Sequence, residues 1–338
     1  MLGLVFLISL TLASTLIVWK GSGILEGSSE KLATYYGLPD IVQGAIITAI
    51  GSSFPELSST VISTIIHQKF ELGVSVIVGS AIFNILVIPG LSGLYSINPL
   101  QSNKELVYKE AQFYMLAVAT LLLTFSFAVI YNPIKGKELI GEINRFIAII
   151  PVLLYIIYIF IQYQDSMDFE SKIDASKINQ KRQWIFLITS LGLILVGVEG
   201  LIRAAIGLGE YFNTPSFLWG LTVIAAGTSI ADAFVSIRAA KEGKGIICLA
   251  NVLGSNTFDL LIAIPIGVLI AGTATINFSR AAPLFGALVA GTLSLFLFAR
   301  TDLEITKKES YILLILYIAF IIFMGLESSD LTSLIPGI

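Results

Sequence analysis

Charged residues are scarce in this sequence, which narrows the classes of protein to which it can belong. Asp, Glu, Lys and Arg make up 13% of the 338 residues, whereas soluble domains average about 25%. Hydrophobic residues make up 56%, and the mean hydropathy is +0.89. These values exclude an ordinary soluble domain and indicate an integral membrane protein. The net charge of −3 and the lack of a basic patch give no indication of nucleic-acid binding.

Cysteine and histidine occur only once each. Cys248 has no second cysteine with which to form an internal disulfide. One His and one Cys are also too few for a typical zinc or copper site, and we expect no bound cofactor. We interpret His67 as a solvated residue at the end of a helix.

Long apolar runs predict ten membrane-spanning helices. The first is interpreted as a span and not as a cleaved signal, because no basic residues precede the apolar stretch 2–19 and Lys20 follows it. The predicted spans are residues 2–24, 40–65, 72–95, 108–130, 141–163, 184–207, 215–240, 245–270, 280–299 and 309–326.

One long polar stretch, residues 164–183, divides these spans into two sets of five. We predict that it is a cytosolic linker between a first half, residues 1–163, and a second half, residues 184–338. Because each half has an odd number of spans, the second half starts from the opposite membrane face. The predicted fold is an all-α membrane protein built from two five-helix repeats of inverted topology.

The distribution of basic residues predicts the orientation. With the N-terminus outside, the inside loops and helix ends hold Lys20, Lys31, Lys104, Lys109, Lys172, Lys177, Lys181, Arg182, Arg238, Lys241, Lys244, Arg300, Lys307 and Lys308. The outside then holds Lys69, Lys135, Lys137, Arg145, Arg203 and Arg280. Because basic residues favour the cytoplasm, both termini are predicted to be extracellular. No eukaryotic sorting signal or large regulatory insert is visible, which favours a prokaryotic cell membrane.

A motif in the first half, residues 44–95, recurs in the second half at residues 220–270. AIGSSFPELSS in the first copy corresponds to AAGTSIADAFVS in the second, and VGSAIFNIL corresponds to LGSNTFDLL. The matched pairs are Pro39 and Pro215, Gly44 and Gly220, Gly51 and Gly227, Glu56 and Asp232, Ser80 and Ser255, and Asn84 and Asp259. A repeat of this length, with polar residues at matched depths, supports two related halves.

The matched residues have the chemistry of a cation site. Glu56 and Asp232 lie in apolar stretches, where an unpaired charge is costly. Pro55 is predicted to break the second span and free backbone carbonyls. Ala231 replaces it in the second copy, so we predict that break at Gly227. The other candidate ligands are Ser52, Ser53, Thr228 and Ser229, with Ser80, Asn84, Ser255 and Asp259 on the following spans. Such oxygen ligands suit hard cations such as Ca2+.

Structural explanations of the same residues remain open. Gly and Ser inside membrane helices commonly serve close packing, and Asp259 could bond to a neighbouring helix. Packing does not require the matched carboxylates Glu56 and Asp232, which favours a cation site at the bilayer midplane. Glu199 and Arg203, four residues apart in the sixth span, are predicted to form an internal ion pair.

At these motifs the chain resembles the cation/calcium exchanger superfamily, whose two repeats carry G-[ST]-S-x-P-E followed by G-S-x-x-x-[ND]. GSSFPE matches the first repeat closely, and GTSIAD matches the second with two changes. The resemblance implies antiport of Ca2+ against Na+ through ten helices, of which the first and sixth are long, tilted and sliding. It implies that Glu56 and Asp232 are the central acidic ligands and that Ser80 and Ser255 are flanking Na+ ligands. It also implies ligand roles for Ser52, Ser53, Thr228 and Ser229, for Asn84 and Asp259, and for the carbonyls of Ala49 and Ala225.

Several rival functions are compatible with part of the pattern. An Asp as the second acidic residue resembles the exchanger branch that also carries K+, and proton-coupled Ca2+ exchange is a further alternative, although its usual motif is G-N-A-x-E. An intramembrane aspartyl protease could use Asp232 and Asp259, but its G-x-G-D signature is absent. A cation channel would need a continuous pore, and it could not drive one ion uphill with the gradient of a second ion. We expect a non-enzymatic transporter that works as a monomer in the lipid bilayer, with Ca2+, Na+ and potentially K+ as transported ions.

Overall fold

The computed structural model describes residues 2–37, 49–165 and 178–328. Pro39, Gly44, Lys172, Lys177 and most of the linker lie outside these ranges. The helices are α1 (Leu2–Tyr35), α2 (Ala49–Ser52), α3 (Phe54–Ile65), α4 (Phe70–Tyr95), α5 (Ala111–Tyr131), α6 (Arg145–Asp165), α7 (Gln180–Phe212), α8 (Ser216–Trp219), α9 (Ala225–Lys241), α10 (Gly245–Phe258), α11 (Ile264–Ala271), α12 (Phe278–Arg300) and α13 (Lys307–Ser328). Three π-helical turns, Leu106–Glu110, Gly220–Ile224 and Asp259–Ala263, precede α5, α9 and α11.

The helices account for the predicted spans. Within the described ranges, 9 helical stretches are long and apolar enough to cross a membrane, and each corresponds to a predicted span. The tenth predicted span, residues 40–65, is represented by α2 and α3, and residues 40–48 lie outside the description. The predicted all-α membrane fold is confirmed.

The bounds of three predicted spans were wrong. The fifth span was placed at 141–163, but its first residues form a strand and the helix begins at Arg145. The first and sixth spans, placed at 2–24 and 184–207, are longer, because α1 has 34 residues and α7 has 33. A helix of this length extends about 50 Å, and the hydrocarbon core is about 30 Å thick. Polar residues at the helix ends therefore continue the helix beyond the apolar stretch that a hydropathy pattern detects.

Four short strands form two antiparallel pairs at opposite ends of the helix bundle. The strands are β1 (Leu100–Gln101), β2 (Ile140–Asn144), β3 (Thr273–Asn277) and β4 (Glu304–Ile305), and β1 pairs with β4 while β2 pairs with β3. Each pair takes one strand from each half. β1 and β3 occupy equivalent places in the two halves, and so do β2 and β4. The pair of β1 and β4 at one end is therefore equivalent to the pair of β3 and β2 at the other end. This arrangement agrees with the inverted repeat.

Helices α1 and α7 pack closely along small residues. A Cβ at Gly200 would lie 2.2 Å from Ser14 Oγ, and one at Gly197 would lie 2.8 Å from the Val18 side chain. These glycines let the two backbones approach, as small residues commonly do between membrane helices. The apolar residues of this region form a buried cluster separate from the main core, which lies among the other helices.

The Glu199 ion pair has a third member that the sequence did not indicate. Glu199 Oε1 lies 2.6 Å from Arg203 Nε, which confirms the predicted pair. Glu199 Oε2 lies 2.9 Å from His67 Nε2. The prediction that His67 is solvated was therefore wrong, because the turn after α3 places its ring against α7 with only 18% of the side chain exposed. This contact joins the turn between α3 and α4 to the long helix α7.

Candidate functional site

The first carboxylate lies directly after a helix break. Helix α2 ends at Ser52 and α3 begins at Phe54, and Ser53 between them has φ −90° and ψ 7°. Pro55 occupies the first turn of α3, where a missing amide hydrogen is tolerated. Glu56 follows in the same turn and is fully buried. The predicted interruption of the second span by Pro55 is confirmed.

The second copy is built differently. The predicted break at Gly227 was wrong, because α9 runs without interruption from Ala225 to Lys241. The irregularity is the π-helical turn Gly220–Ile224, which precedes α9. Because Ala231 stands where the first copy has Pro55, every residue near Asp232 keeps the backbone amide hydrogen that a continuous helix requires. Gly227 instead allows α1 to approach, since a Cβ there would lie 2.9 Å from Thr15 Oγ1.

Four serines join the two halves around the carboxylates. Ser80 Oγ lies 2.6 Å from Ser229 Oγ, and the Ser80 hydroxyl donates to Glu56 Oε1 at 3.3 Å. In the other half, Ser255 Oγ lies 2.8 Å from Ser53 Oγ, and its hydroxyl donates to Asp232 Oδ2 at 3.1 Å.

These two sets are related by the sequence repeat. Ser80 corresponds to Ser255, Glu56 to Asp232, and Ser53 to Ser229. Each set therefore contains a serine–serine contact that crosses between the halves and a serine–carboxylate bond that stays within one half. Glu56, which is one methylene longer than Asp232, also accepts from the Ser229 hydroxyl at 3.4 Å. The structure thus brings six of the predicted ligands into two buried hydrogen-bonded sets of three residues each.

The remaining predicted ligands surround these two sets. Thr228 is buried, and its hydroxyl donates to the carbonyl of Ala225 at 3.1 Å, so part of the bonding capacity of that carbonyl is used within α9. Ser52 is the last residue of α2 and is buried, and Ala49 is the first residue of that helix. The roles of the Ala49 and Ala225 carbonyls as ligands stay predictions.

Asn84 takes part in a further set of buried polar contacts. The Asn84 side-chain amide donates to Asn256 Oδ1 at 3.0 Å. Asn256 in turn donates to the carbonyl of Ala81 and to the hydroxyl of Tyr114. Asn256 is fully buried and was missed by the sequence comparison, because its equivalent in the first half is Ala81. Only its place within the GSNTFD motif could have indicated it.

Several buried acceptor atoms have no hydrogen-bond partner among the residues that the structure describes. Those on the predicted ligands are Glu56 Oε2, Asn84 Oδ1 and both carboxylate oxygens of Asp259. Leaving a buried acceptor unsatisfied costs about 1–3 kcal/mol, and more for a charged group. A cation supplies positive charge to several oxygens at once, so this set of acceptors fits a cation site.

The charges around these atoms are uncompensated. Glu56, Asp232 and Asp259 are close enough to act on one another electrostatically. No salt bridge to any of the three occurs in the described ranges. In the same ranges no three His, Cys, Asp or Glu side chains form a group that could hold a metal ion. A cation here would therefore need the serine hydroxyls, Asn84 or backbone carbonyls to complete its ligands.

The three carboxylates are buried. Glu56 and Asp259 have no exposed surface, and Asp232 is 4% exposed. A cavity of about 620 Å³ at the end of the bundle with β2 and β3 is lined by residues that include Lys69, Glu71 and Arg280. A second cavity of about 220 Å³, at the opposite end, includes Asn98 and Lys241 in its lining. Neither lining contains one of the three carboxylates.

Comparison with known proteins gives concordant matches over most of the chain. The profile of the family described as sodium/calcium exchanger protein matches residues 6–164 and 182–326. A sodium/calcium exchanger, MaX1, of Methanosarcina acetivorans is 26% identical over 95% of this chain and 96% of its own length. A membrane protein of Methanocaldococcus jannaschii is 28% identical over 91% of this chain and 94% of its own. A solved structure of the sodium-calcium exchanger NCX_Mj, 25% identical, superimposes with a TM-score of 0.62 over 94% of this chain and 99% of that chain.

Proposed function

The chain belongs to the sodium/calcium exchanger protein family, and we propose that it exchanges Ca2+ for Na+ across a membrane by alternating access. The observation that carries the proposal is the pair of equivalent serine–carboxylate sets. Glu56 and Asp232 come from oppositely oriented halves, and each is bonded to a serine that contacts a serine of the opposite half, at 2.6 Å in the Glu56 set and 2.8 Å in the Asp232 set. Oxygen ligands from two inverted repeats at the protein midplane are typical of secondary transporters.

Competition between Ca2+ and Na+ for one site would couple the Ca2+ flux to the Na+ flux. Ca2+ brings two positive charges to the carboxylates, and several Na+ ions replace it together. With no cation bound, unpaired carboxylates would be costly to carry through hydrocarbon, whereas a neutralised site is cheaper to move. The conformational change therefore favours a loaded carrier. Glu56 and Asp259 have no exposed surface, so a cation bound by them would be shielded from solvent.

Potassium dependence is the second candidate. A rat protein named sodium/potassium/calcium exchanger 3 is 34% identical over 134 residues, which are 40% of this chain and 19% of that protein. Asp259 is an additional acidic group whose oxygens have no hydrogen-bond partner in the described part of the chain. These two observations favour K+ as a possible third ion, and proton coupling stays an alternative.

The protease reading has less support. A catalytic dyad needs two carboxyl groups that share a proton through a hydrogen bond. Asp232 Oδ2 instead accepts from Ser255, and neither oxygen of Asp259 is hydrogen-bonded within the described ranges. The dyad would also leave Glu56 without a role.

Ion-gradient experiments test the proposed function directly. Proteoliposomes that contain the full chain and are loaded with Na+ are expected to accumulate radioactive Ca2+ against its gradient, because outward Na+ movement drives uptake. Equal vesicles with an imposed K+ or H+ gradient, and no Na+, are the controls. Accumulation driven only by H+ would contradict Na+ coupling, and Ca2+ that merely equilibrates under every gradient would indicate a channel. A requirement for K+ together with Na+ would assign the chain to the K+-dependent type.

The orientation, with both termini outside, can be tested by cysteine labelling. The native Cys248 is fully buried, so a membrane-impermeant maleimide should not reach it in intact cells. Lys137→Cys, in the exposed loop before β2, is expected to be labelled, whereas Asn98→Cys, in the exposed loop before β1, is expected to react only after the cells are opened. The reverse pattern would place the termini in the cytoplasm. We also propose that the chain functions as a monomer in a prokaryotic cell membrane.

A further inference from the structure

One face of α1 lies against both halves of the carboxylate region. A Cβ at Gly227 would touch Thr15 at 2.9 Å, and the rings of Trp19 and Phe234 stack with centroids 4.9 Å apart. Farther along, the Cα of Glu26 lies 3.8 Å from the position of a Cβ on Gly51. Residues 15, 19, 22 and 26 follow the 4-3-4 spacing of a single helix face. This face therefore runs from α9 to the break between α2 and α3.

Two polar side chains lie on this face beyond Trp19. Ser22 is 2% exposed, and its hydroxyl makes no hydrogen bond to any residue described in the structure. Glu26, one turn farther along, is partly buried, and in the described ranges no Lys, Arg or His lies within salt-bridge distance of it. Acidic groups act on both carboxylates, because Glu56 and, more weakly, Glu26 act on Asp232, and Glu30 acts on Glu26. Glu30, Glu26 and Asp232 thus form a series of carboxylates that leads to the buried site.

The direction of α1 shows at which end of the bundle this series of carboxylates begins. The contacts of Thr15 and Trp19 show that α1 runs in the same direction as α9, which ends at Lys241. Gly245, just beyond, packs against Gln101 of β1, with its Cβ position 2.5 Å from the Gln101 amide nitrogen. Glu26 therefore lies between Asp232 and the end of the bundle where β1 pairs with β4. In the proposed orientation this end is cytosolic.

We infer that Glu26 and Ser22 form an access site for cations, which receives Ca2+ or Na+ from the end with β1 and β4 and passes it to Asp232. The inference rests on the proposed exchange function and adds α1 to the ion path. A carboxylate without a basic partner attracts cations and raises their local concentration at the mouth of a path. The buried Ser22 hydroxyl supplies the next oxygen on the same helix face. Neither residue belongs to the two repeated motifs.

Sided transport kinetics of Glu26→Gln test this inference. Right-side-out and everted membrane vesicles expose opposite faces of the full-length protein to the assay medium. We expect the half-saturating Ca2+ concentration to rise by about 5-fold at the face with β1 and β4, in line with the loss of electrostatic attraction. At the other face it should stay within about 2-fold of wild type, and the maximal rate should change less than the half-saturating concentration.

Two further variants serve as controls for Glu26→Gln. Glu30→Gln removes the same charge one turn away, at an exposed position, and should shift the half-saturating Ca2+ concentration less than Glu26→Gln. Glu26→Asp keeps the charge and should restore sided kinetics close to wild type. Equal loss of maximal rate at both faces, with lower thermal stability, would show a merely structural role and overturn the inference. So would wild-type kinetics of Glu26→Gln. If instead the wild-type protein shows no Na+-driven Ca2+ uptake, the proposed function itself is wrong.

Discussion

Replacement of Glu56 by Gln is expected to abolish Na+-driven Ca2+ uptake. Glutamine keeps the size of the side chain and can still accept from Ser80 and Ser229, which approach Glu56 Oε1 at 3.3 and 3.4 Å. It removes the negative charge from a fully buried position. A hydrogen bond to a charged group is worth up to about 3 kcal/mol, and a loss of that size corresponds to about a 100-fold loss of cation affinity. Uptake into proteoliposomes, at equal protein content, measures the effect.

The control for Glu56→Gln removes the same charge elsewhere. Glu138 lies in an exposed loop before β2, so Glu138→Gln should transport Ca2+ at the wild-type rate. Circular dichroism and gel filtration of both variants separate a lost site from a lost fold. If Glu56→Gln retained Na+-driven uptake comparable to wild type, the carboxylate between Ser80 and Ser229 could not be the central ligand.

Gly79→Ala is expected to destabilise the protein strongly. Gly79 lies in α4 where that helix crosses the π-helical turn before α9, and a Cβ there would lie 2.1 Å from the carbonyl oxygen of Leu221 and 2.8 Å from the Cβ of Ala225. The obstacle is backbone, which cannot rotate away. Overpacking of this kind costs about 1–3 kcal/mol, and we expect the upper end of that range. The thermal unfolding midpoint in detergent should fall, and transport should fall with it because Ser80 is the next residue.

The repeat supplies a matched control for this substitution. Gly254 is the equivalent of Gly79 in the second half, and a Cβ there would meet no atom within 4 Å. Gly254→Ala should therefore leave the midpoint unchanged or raise it, since Ala is favoured over Gly in a helix by up to about 1 kcal/mol. Equal effects of the two substitutions would contradict the close crossing of α4 and the π-helical turn.

The sequence was informative where apolar patterning and the repeat acted together. Matching GSSFPE with GTSIAD placed Glu56 and Asp232 at equivalent depths, and the same comparison identified the serines that the structure brings into contact. The odd number of spans in each half predicted the inverted topology, and the distribution of basic residues predicted the orientation of the chain in the membrane. The hydropathy pattern, the spacing of the repeat and the positions of the basic residues can all be read along the sequence, without knowledge of contacts between distant segments.

Other features depended on contacts between distant segments, which the sequence does not record. His67 looked solvated because its partner Glu199 is 132 residues away. Asn256 was overlooked because a comparison of the halves reveals matched residues, and its counterpart is Ala81. The π-helical turn Gly220–Ile224 has no sequence signature distinct from an α-helix, so the irregularity was assigned to Gly227. The strands, of two to five residues, are too short for alternation to be recognised.

The strand pairs at the two ends of the bundle can form only when both halves are present. Each strand finds its hydrogen-bonding neighbour in the opposite half, so a half-length polypeptide would leave both of its strand edges open within the membrane boundary. A second copy inserted upside down closes both edges at once. A protein made of a single half would pair both of its strands in the same way if it formed an antiparallel dimer, and fusion of two such halves keeps that pairing within one chain.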